Sequence, residues 1–376
     1  MLNILHLINY PGKGGSEKYI LSLMEKLHDK SCKIYFGYSE PGPMLKRVKA
    51  LGVQIYNIPM RSPCDVKAAK TLKALCRELS IDVVHTHFLR ENCISILSKF
   101  LGNRVVIINS NHLLLNTNIF KSLGNGLITL GDDRLIAVSN AVRKHLMAEG
   151  VITQKITVIH NGVDIDYWKG RRNYNIRREF GIDRNDFVIV STARFSEEKG
   201  HIFLLESIKQ LKKICNSSTE GLFDRFKFIL AGDGEMFEES KELAEMLGIS
   251  GSIFFAGYRS DIKKILHGSD LYVSHSKSEA LGISILEALA CSLPVVATNS
   301  GGPSEIITGK SNCGILIEYG DTDAFAKAIM RFASDSKFYK TCKDNAYKTV
   351  EVDFNLDKTV EETYNLYTRS LTAGNA

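Results

Sequence analysis

Two glutamates separated by seven residues, Glu279 and Glu287, form the strongest chemical signal in this sequence of 376 residues. Glu279 follows a short apolar run at 271–274, and Glu287 lies within the apolar stretch 283–291, which we predict to be a buried helix. A buried carboxylate costs several kcal/mol unless it accepts hydrogen bonds. Paired hydroxyls of a ligand, such as those of a ribose, would supply these bonds. The alternative is structural, with one glutamate capping the helix and the other bonded to protein.

Backbone N–H groups near two glycine-containing turns are further candidates for binding an anion. Glu279 and Gly282 precede the predicted helix, whose first N–H groups have no partner within the helix and attract phosphate. Gly282 also lets a ligand approach the backbone closely. Gly14 and Gly15 follow the first apolar run and can present N–H groups in the same way. The alternative for this second turn is a tight connection before a helix that Ser16 caps.

Short apolar runs alternate with longer helical patterns along the chain, and most runs carry Val, Ile or Phe on both faces. This pattern is typical of parallel strands that are buried on both sides. The predicted strands cover residues 3–8, 33–38, 53–58, 82–85, 104–109, 135–139, 157–159, 187–193, 226–231, 253–255, 271–274, 294–298 and 314–317. Repetition of strand and helix predicts doubly wound sheets that bind ligands at the carboxyl ends of their strands. The polar, basic stretch 161–186 interrupts the pattern, and we interpret it as an inter-domain connection.

Composition excludes several classes of protein. No run of about 18 apolar residues occurs, and the first residues resemble a strand rather than a signal peptide, so we expect a cytoplasmic protein. The eight cysteines form no Cys-x-x-Cys pair, which argues against a zinc knuckle. Residues 1–166 hold 21 Lys and Arg against 13 Asp and Glu, whereas residues 167–376 hold 27 against 29. The basic first half is either a solvated face or a surface for anionic lipid or a phosphate-bearing acceptor; no motif indicates nucleic acid.

In their order along the chain, these motifs resemble family 4 of the glycosyltransferases, which are retaining enzymes with the GT-B fold. Residues 279–287 resemble the family's motif of two glutamates separated by seven residues. The other similar segments are Gly14-Gly15-Ser16-Glu17, Asp82-Val83-Val84-His85-Thr86-His87, Ala137-Val138-Ser139, Asn161-Gly162-Val163-Asp164, the loop from Arg194 to Lys199-Gly200, Ala231-Gly232-Asp233-Gly234 and Gly301-Gly302-Pro303-Ser304-Glu305. Each segment alone is weakly specific, but the ordered set covers nearly the whole chain.

The resemblance implies an α/β fold of the GT-B type, in which two doubly wound, Rossmann-like domains face a central cleft. Residues 1–165 would form the acceptor-side domain and residues 166–355 the domain that binds the nucleotide-sugar donor. Residues 356–376 would form a C-terminal helix that returns to the first domain.

The resemblance also implies roles for donor-side residues. Glu287 would bind the donor ribose and Glu279 would face the donor sugar. Arg194 and Lys199 would stabilise the negative charge that grows on the departing diphosphate. The structural alternative for these two cations is a surface ion pair with Glu197 or Glu198. Backbone at Gly14, Gly15, Gly282 and Ile283 would complete the donor-binding set.

On the acceptor side, the family's motif places His87 near the reaction centre and makes His85 a buried structural residue. His112 is a secondary acceptor-side candidate, with a structural role as the alternative. Asp321-Thr322-Asp323 spells the metal-binding motif of a different transferase class, but we interpret Asp321 as a helix cap. We therefore predict neither a catalytic metal nor a cofactor.

The predicted function is retaining transfer of a hexose from a nucleoside-diphosphate sugar, with a UDP-sugar as the expected donor, to an acceptor hydroxyl. The expected acceptor is a saccharide or lipid-linked oligosaccharide of surface polysaccharide synthesis. The basic first half adds an expected peripheral association with the inner face of an anionic membrane. Two alternatives remain: a sugar-nucleotide epimerase with the GT-B fold, and a non-catalytic nucleotide-sugar-binding subunit.

Overall fold

The computed structural model describes residues 1–30, 32–114, 128–219 and 221–373 of the chain. It divides into two compact units. The first comprises Met1–Gly162 with Leu356–Ala376, and the second comprises Val163–Asn355.

A parallel sheet forms the centre of the first unit. Its strands are β1 Leu2–Ile8, β2 Cys32–Tyr38, β3 Gln54–Asn57, β4 Val83–Thr86, β5 Val106–Asn111, β6 Arg134–Ala137 and β7 Ile156–Val158. The described helices before residue 162 are α1 Gly15–Leu27, α2 Leu45–Ala50, α3 Val66–Glu78, α4 Leu89–Phe100 and α5 Asn140–Ala148. The strand order is β3-β2-β1-β4-β5-β6-β7, which is a doubly wound arrangement.

The second unit repeats this plan with a six-stranded sheet. Its strands are β8 Phe187–Thr192, β9 Phe226–Ala231, β10 Ile253–Gly257, β11 Leu271–Ser274, β12 Val295–Thr298 and β13 Gly314–Ile317. Its described helices are α6 Ile165–Trp168, α7 Tyr174–Glu179, α8 His201–Ser218, α9 Phe237–Met246, α10 Ile262–Gly268, α11 Ile283–Ala290, α12 Pro303–Ile306, α13 Thr322–Ser334 and α14 Ser336–Asp353. The strand order β10-β9-β8-β11-β12-β13 is again parallel throughout.

Apolar residues on both faces of the central strands explain why these sheets form. All four residues of β4 and of β12 are buried, so each strand needs helices on both sides of its sheet. Each predicted strand coincides with an observed one, and no predicted end differs from the observed end by more than two residues. The predicted α/β fold with two doubly wound sheets is confirmed.

The segment 161–186, which we interpreted from its polar and basic composition as an inter-domain connection, contains two helices. It contributes α6 and α7 to the second unit, where Trp168 and Arg177 are buried. Arg177 donates hydrogen bonds to the carbonyl oxygens of Gly268 and Asp186 and forms an ion pair of 2.5 Å with Asp270. The positive charge of Arg177 therefore holds the start of this unit together.

The last helix, α15 Leu356–Ala373, packs within the first unit against α1 and β5. Lys26 pairs with Asp357 at 3.0 Å, and Tyr367 is fully buried with its hydroxyl 2.6 Å from Nδ1 of His85. Over the described residues, no helix combines the length and the apolar character that crossing a bilayer requires.

The network around Asp270 gives a stability prediction for the second unit. Asp270 also accepts a hydrogen bond from the backbone N–H of Val188 and pairs with Arg172. Asp270→Ala leaves the buried guanidinium of Arg177 without its counter-ion, and we expect a loss of about 3–5 kcal/mol in the free energy of unfolding. Urea unfolding followed by fluorescence of Trp168, the only tryptophan, measures this unit directly.

Glu238→Ala is the matched control, because it removes one carboxylate from the exposed pair with Lys241. Its expected cost is below about 1 kcal/mol. Equal unfolding midpoints for the two variants would show that the buried network does not stabilise the unit.

Candidate functional site

The strand order of each sheet changes direction at one point, between β1 and β4 in the first unit and between β8 and β11 in the second. The loops that leave the carboxyl ends of these two strands diverge to opposite sides of the sheet. Ligands of doubly wound sheets bind in the resulting crevice. Several predicted site residues lie in these loops or at the start of the helix that follows: Gly14, Gly15 and His87 in the first unit, and Arg194, Lys199 and Glu279 in the second.

In the second unit the structure brings Lys199 and Glu279 together. Nζ of Lys199 lies 2.7 Å from Oε2 of Glu279, and both side chains are mostly buried. They line a small cavity with side chains from the ends of β8 and β11, including Ser191, Tyr272 and Ser276. The prediction considered Glu197 or Glu198 as alternative partners of Lys199. The actual partner is 80 residues away because the ends of β8 and β11 are neighbours in the sheet.

Glycines allow the two loops of this cavity to pack closely. Gly200 has φ +69°, and a Cβ there would meet the carbonyl oxygen of His275 at 2.3 Å. His275 in turn lies with Nδ1 2.6 Å from the carbonyl oxygen of Lys199 and Nε2 2.9 Å from Oγ of Ser191. Burial lowers the pKa of His275 to about 4, so this histidine is neutral at pH 7. Its two hydrogen bonds connect the loops.

Arg194 lies on the exposed rim of the same loop. Its Nη2 donates to Oε1 of Glu198 at 2.8 Å, which is the surface ion pair that the sequence left open as an alternative. Burial raises the pKa of Glu198, but hydrogen bonds from Ser196 and Arg194 outweigh it and bring that pKa to about 2. The side chain of Arg194 is 67% exposed, so this pair constrains it weakly.

Helix α11 begins beside Glu279, as the sequence predicted. Its N-cap is Gly282, with φ +102°, and no side chain caps the helix. The first N–H groups, from Ile283 onward, therefore lie at the end of the helix that favours an anion. Glu287 is buried on this helix near Tyr272, whose pKa rises to about 12 mainly because of burial, with a smaller contribution from the charge of Glu287.

In the first unit, α1 begins at Gly15 with Gly14 as N-cap and without a side-chain cap. Ser16 therefore lies within the first turn and is not the cap that the structural alternative required. Asp321, by contrast, caps α13 as expected by accepting a hydrogen bond from the N–H of Ala324.

Four buried histidines lie close together in the first unit. His6 is on β1 and His85 on β4, whereas His87 and His112 directly follow β4 and β5. Nδ1 of His6 lies 3.1 Å from Nε2 of His87, and Nδ1 of His87 lies 3.3 Å from Nε2 of His112. His85 contacts Ser110 and Tyr367 instead, which agrees with its predicted structural role. Burial lowers the pKa of His6 to about 3 and that of His112 to about 4, and it also lowers the pKa of His87. All of them are neutral at pH 7.

One ring nitrogen from each of His6, His85 and His87 lies within 4.8 Å of the other two, which is close enough to consider a metal site. Five of their six ring nitrogens, however, lie within hydrogen-bond distance of a protein group. A metal ion would have to displace these contacts, so the donor set fits a hydrogen-bonded network better than a metal centre.

Two features of this site were not predicted from the sequence. His6 sits beside His85 only because β1 and β4 pair in that register. Glu91, near the start of α4, is fully buried, and neither of its oxygens has a hydrogen-bond partner among the described residues. Burial raises the pKa of Glu91 to about 7, although backbone N–H groups nearby, including that of Asn9, partly offset the shift. In the sequence, Glu91 follows the end of the buried strand β4 by five residues, and this position is the signal that could have identified it.

Both units match known family models. Residues 13–167 match the model described as Glycosyltransferase Family 4, and residues 173–349 match the model described as Glycosyl transferases group 1. Together the two matches cover most of the chain.

Curated relatives align over almost their whole length. The N-acetyl-alpha-D-glucosaminyl L-malate synthase of Bacillus anthracis is 24% identical over 95% of this chain and 94% of its own. The UDP-Gal:alpha-D-GlcNAc-diphosphoundecaprenol alpha-1,3-galactosyltransferase of Escherichia coli is 25% identical over 97% of this chain and 96% of its own.

Solved structures show the same fold. HepE from Anabaena, in complex with UDP-glucose, superposes with a TM-score of 0.87 at 20% identity, over 98% of this chain and 100% of HepE. A glycosyltransferase from Rickettsia africae gives a TM-score of 0.84 at 23% identity, over 98% of each chain.

The buried carboxyl of Glu91 predicts a pH-dependent stability difference. Its pKa is about 7 in the folded protein and near 4.5 in the unfolded chain, so the folded state binds the proton more tightly. Stability from this group is therefore present at low pH and is lost as the pH rises through 7. Glu91→Gln cannot ionise and escapes this loss.

We expect the variant to gain on the order of 3 kcal/mol relative to the unmodified protein between pH 5 and pH 8. Urea unfolding of both proteins at the two pH values, followed by far-UV circular dichroism, measures the difference. The exposed Glu78→Gln is the control and should give no pH-dependent gain. A constant difference between Glu91→Gln and the unmodified protein would contradict the assignment.

Proposed function

This chain belongs to the family 4 glycosyltransferases, with a family 4 domain followed by a group 1 domain, and we propose that it transfers a hexose from a UDP-sugar to an acceptor hydroxyl with retention of anomeric configuration. The observation that carries the proposal is the contact between Lys199 and Glu279 in the cavity at the ends of β8 and β11. It brings a cation for the diphosphate and a carboxylate for the sugar to one place beside the uncapped start of α11.

The donor side of the proposal rests on the second unit. The N–H groups at the start of α11 suit a phosphate, and Glu287, buried four residues after Ile283, suits the paired hydroxyls of a ribose. HepE, which shares the fold, binds UDP-glucose, and the relative from E. coli uses UDP-galactose. These names support UDP as the nucleotide and a hexose as the transferred group.

The acceptor side of the proposal rests on the first unit, around His87 and His112. The relative from E. coli acts on a diphosphoundecaprenol-linked sugar, which supports a lipid-linked saccharide as the acceptor. The basic balance of residues 1–166 suits the phosphates of such a molecule. A panel of UDP-sugars against lipid-linked and soluble saccharide acceptors, with product detection by mass spectrometry, tests this assignment.

The proposed mechanism places the acceptor hydroxyl on the same face of the sugar as the leaving diphosphate. The bond from the anomeric carbon to the phosphate oxygen breaks as the acceptor oxygen bonds to that carbon. The departing phosphate oxygen takes the proton of the acceptor hydroxyl. Lys199 and Arg194 stabilise the negative charge that grows on the diphosphate, and Glu279 holds Lys199 in place before the donor arrives.

The role of Glu287 predicts weaker nucleotide binding in a variant. Glu287→Gln keeps the shape of the side chain but removes the charge that strengthens bonds to the ribose hydroxyls. A charge-assisted hydrogen bond contributes roughly 1.5–3 kcal/mol and a neutral one roughly 0.5–1.5 kcal/mol, so the exchange loses about 1–1.5 kcal/mol and the Kd of UDP measured by calorimetry should rise roughly 5- to 10-fold. Glu239→Gln, an exposed position on α9, is the control with the same loss of charge. An unchanged Kd in Glu287→Gln would remove Glu287 from the donor site.

The role of Lys199 predicts a loss that appears mainly in turnover. Lys199→Met keeps the aliphatic stem but removes the cation, and losing one such group lowers kcat by roughly 10²–10³-fold. Lys277→Met is the control, because Lys277 is on an adjacent loop and pairs with the exposed Glu197. Initial rates at saturating donor and acceptor give kcat for each variant. Similar kcat values for both variants would show that Lys199 is not the charge-stabilising group.

The mechanism also predicts the configuration of the product and its independence of metal ions. We expect the first-formed glycoside to keep the anomeric configuration of the donor in a proton NMR time course, and EDTA to leave the rate unchanged. An inverted product would exclude same-face transfer. Activity lost with EDTA and restored with Mn²⁺ would assign the role of Arg194 and Lys199 to a metal ion.

A further inference from the structure

His6, His87 and His112 form a chain of hydrogen-bonded imidazole rings. The nitrogen at each end of the chain has no hydrogen-bond partner among the described residues. Nδ1 of His6 faces Nε2 of His87, and Nδ1 of His87 faces Nε2 of His112. The neighbouring rings are close to parallel, at 8° and 24°. These end nitrogens are Nε2 of His6 and Nδ1 of His112, and both are buried.

A chain of neutral imidazoles permits only two arrangements of its hydrogens. Each neutral ring carries one N–H, and each contact needs one donor and one acceptor. Either every ring carries its hydrogen on Nδ1, so that the open end at His112 is an N–H, or every ring carries it on Nε2, so that the open N–H is on His6. The tautomer of His6 therefore determines the tautomers of the other two rings.

The surroundings of the two ends favour the first arrangement. His6 is completely buried within the sheet, so an N–H on its Nε2 would have no partner among the described residues. A buried donor without a partner costs roughly 1–3 kcal/mol. His112 follows β5 at the carboxyl edge of the sheet, where ligands of doubly wound sheets bind. The residue keeps 9% exposure although its Nδ1 is covered, so a ligand that seats itself at this edge is the group that could accept the N–H.

We propose that His6 is a positioning residue that directs the hydrogens of this chain toward His112, so that His112 offers an Nδ1–H donor to an oxygen of the acceptor substrate. The substrate part of this inference rests on the proposed function, whereas the direction of the chain does not. The arrangement gives His112 a binding role, because a nitrogen that carries a hydrogen cannot remove the proton of the acceptor hydroxyl. That proton then goes to the departing phosphate.

The direction of the hydrogens can be read without any substrate. In protein labelled with ¹⁵N-histidine at pH 7.5, long-range ¹H–¹⁵N correlation spectra distinguish a ring nitrogen that carries hydrogen from one that does not. His6→Asn, His87→Asn and His112→Asn assign the signals. We expect all three rings to carry the hydrogen on Nδ1. A hydrogen on Nε2 of His112 in the unmodified protein would overturn the proposal, whatever the activity.

Two substitutions of His6 test the positioning role. His6→Asn keeps an amide N–H that can donate to Nε2 of His87, whereas His6→Leu removes the donor. We expect His6→Leu to leave His87 and His112 as a mixture of tautomers and to lower kcat/KM roughly tenfold, mainly through the KM of the acceptor. His6→Asn should keep the tautomers and stay within about twofold of the unmodified rate.

Unchanged tautomers in His6→Leu would refute the role of His6. If that variant does not fold by circular dichroism, the spectrum of the unmodified protein and the rate of His6→Asn still decide the matter. If the protein transfers no hexose but its three rings carry hydrogen on Nδ1, the direction of the chain stands and the proposed function fails.

Discussion

Parallel pairing of the strands is the constraint on which the rest of this structure depends. When every strand of a sheet runs in the same direction, all the carboxyl ends meet at one edge, and the turn of the strand order opens a crevice there. Residues distant in sequence are consequently neighbours in space. Lys199 and Glu279 follow β8 and β11, which are paired strands, and they meet at 2.7 Å. His6 and His85 lie opposite each other on β1 and β4 for the same reason.

Because such sheets are buried on both faces, a polar group inside them costs free energy unless it is hydrogen-bonded or neutral. The two units contain different examples of how this cost is reduced. The second unit buries a charge, Arg177, and surrounds it with carbonyl oxygens and Asp270. In the first unit, burial shifts the pKa of His6 down and that of Glu91 up, so both groups favour their neutral forms. The neutral network can transmit the direction of its hydrogens, whereas the charged network can only hold a fixed arrangement.

The sequence predicted the features that depend on local patterns. The strands follow from runs of apolar residues, the cap of α13 follows from Asp321, and the burial of Glu287 follows from the apolar residues around it. It did not predict features that depend on register. The partner of Lys199 and the contact of His6 with His87 arise only when specific strands pair. The burial of Arg177 was not predicted, because nothing near it in sequence reveals its partner Asp270, 93 residues away.

Arg194 and Lys199, the two cations at the carboxyl edge of the second sheet, differ in how firmly their carboxylate partners hold them. This difference affects how a donor would bind in the proposed function. Arg194 is mostly exposed and its pair with Glu198 contributes at most about 1 kcal/mol, so an arriving diphosphate can replace that carboxylate at little cost. Lys199 and Glu279 are mostly buried in a cavity, where opposite charges interact more strongly and are screened less by salt. The diphosphate of the proposed donor would add negative charge beside Glu279, and that carboxylate would have to exchange its cation for other partners. The hydroxyls of the donor sugar are such partners. In the proposed function, in which Lys199 binds the diphosphate and Glu279 binds the sugar, these two events are therefore coupled, and a nucleotide without its sugar would satisfy only one of the two groups.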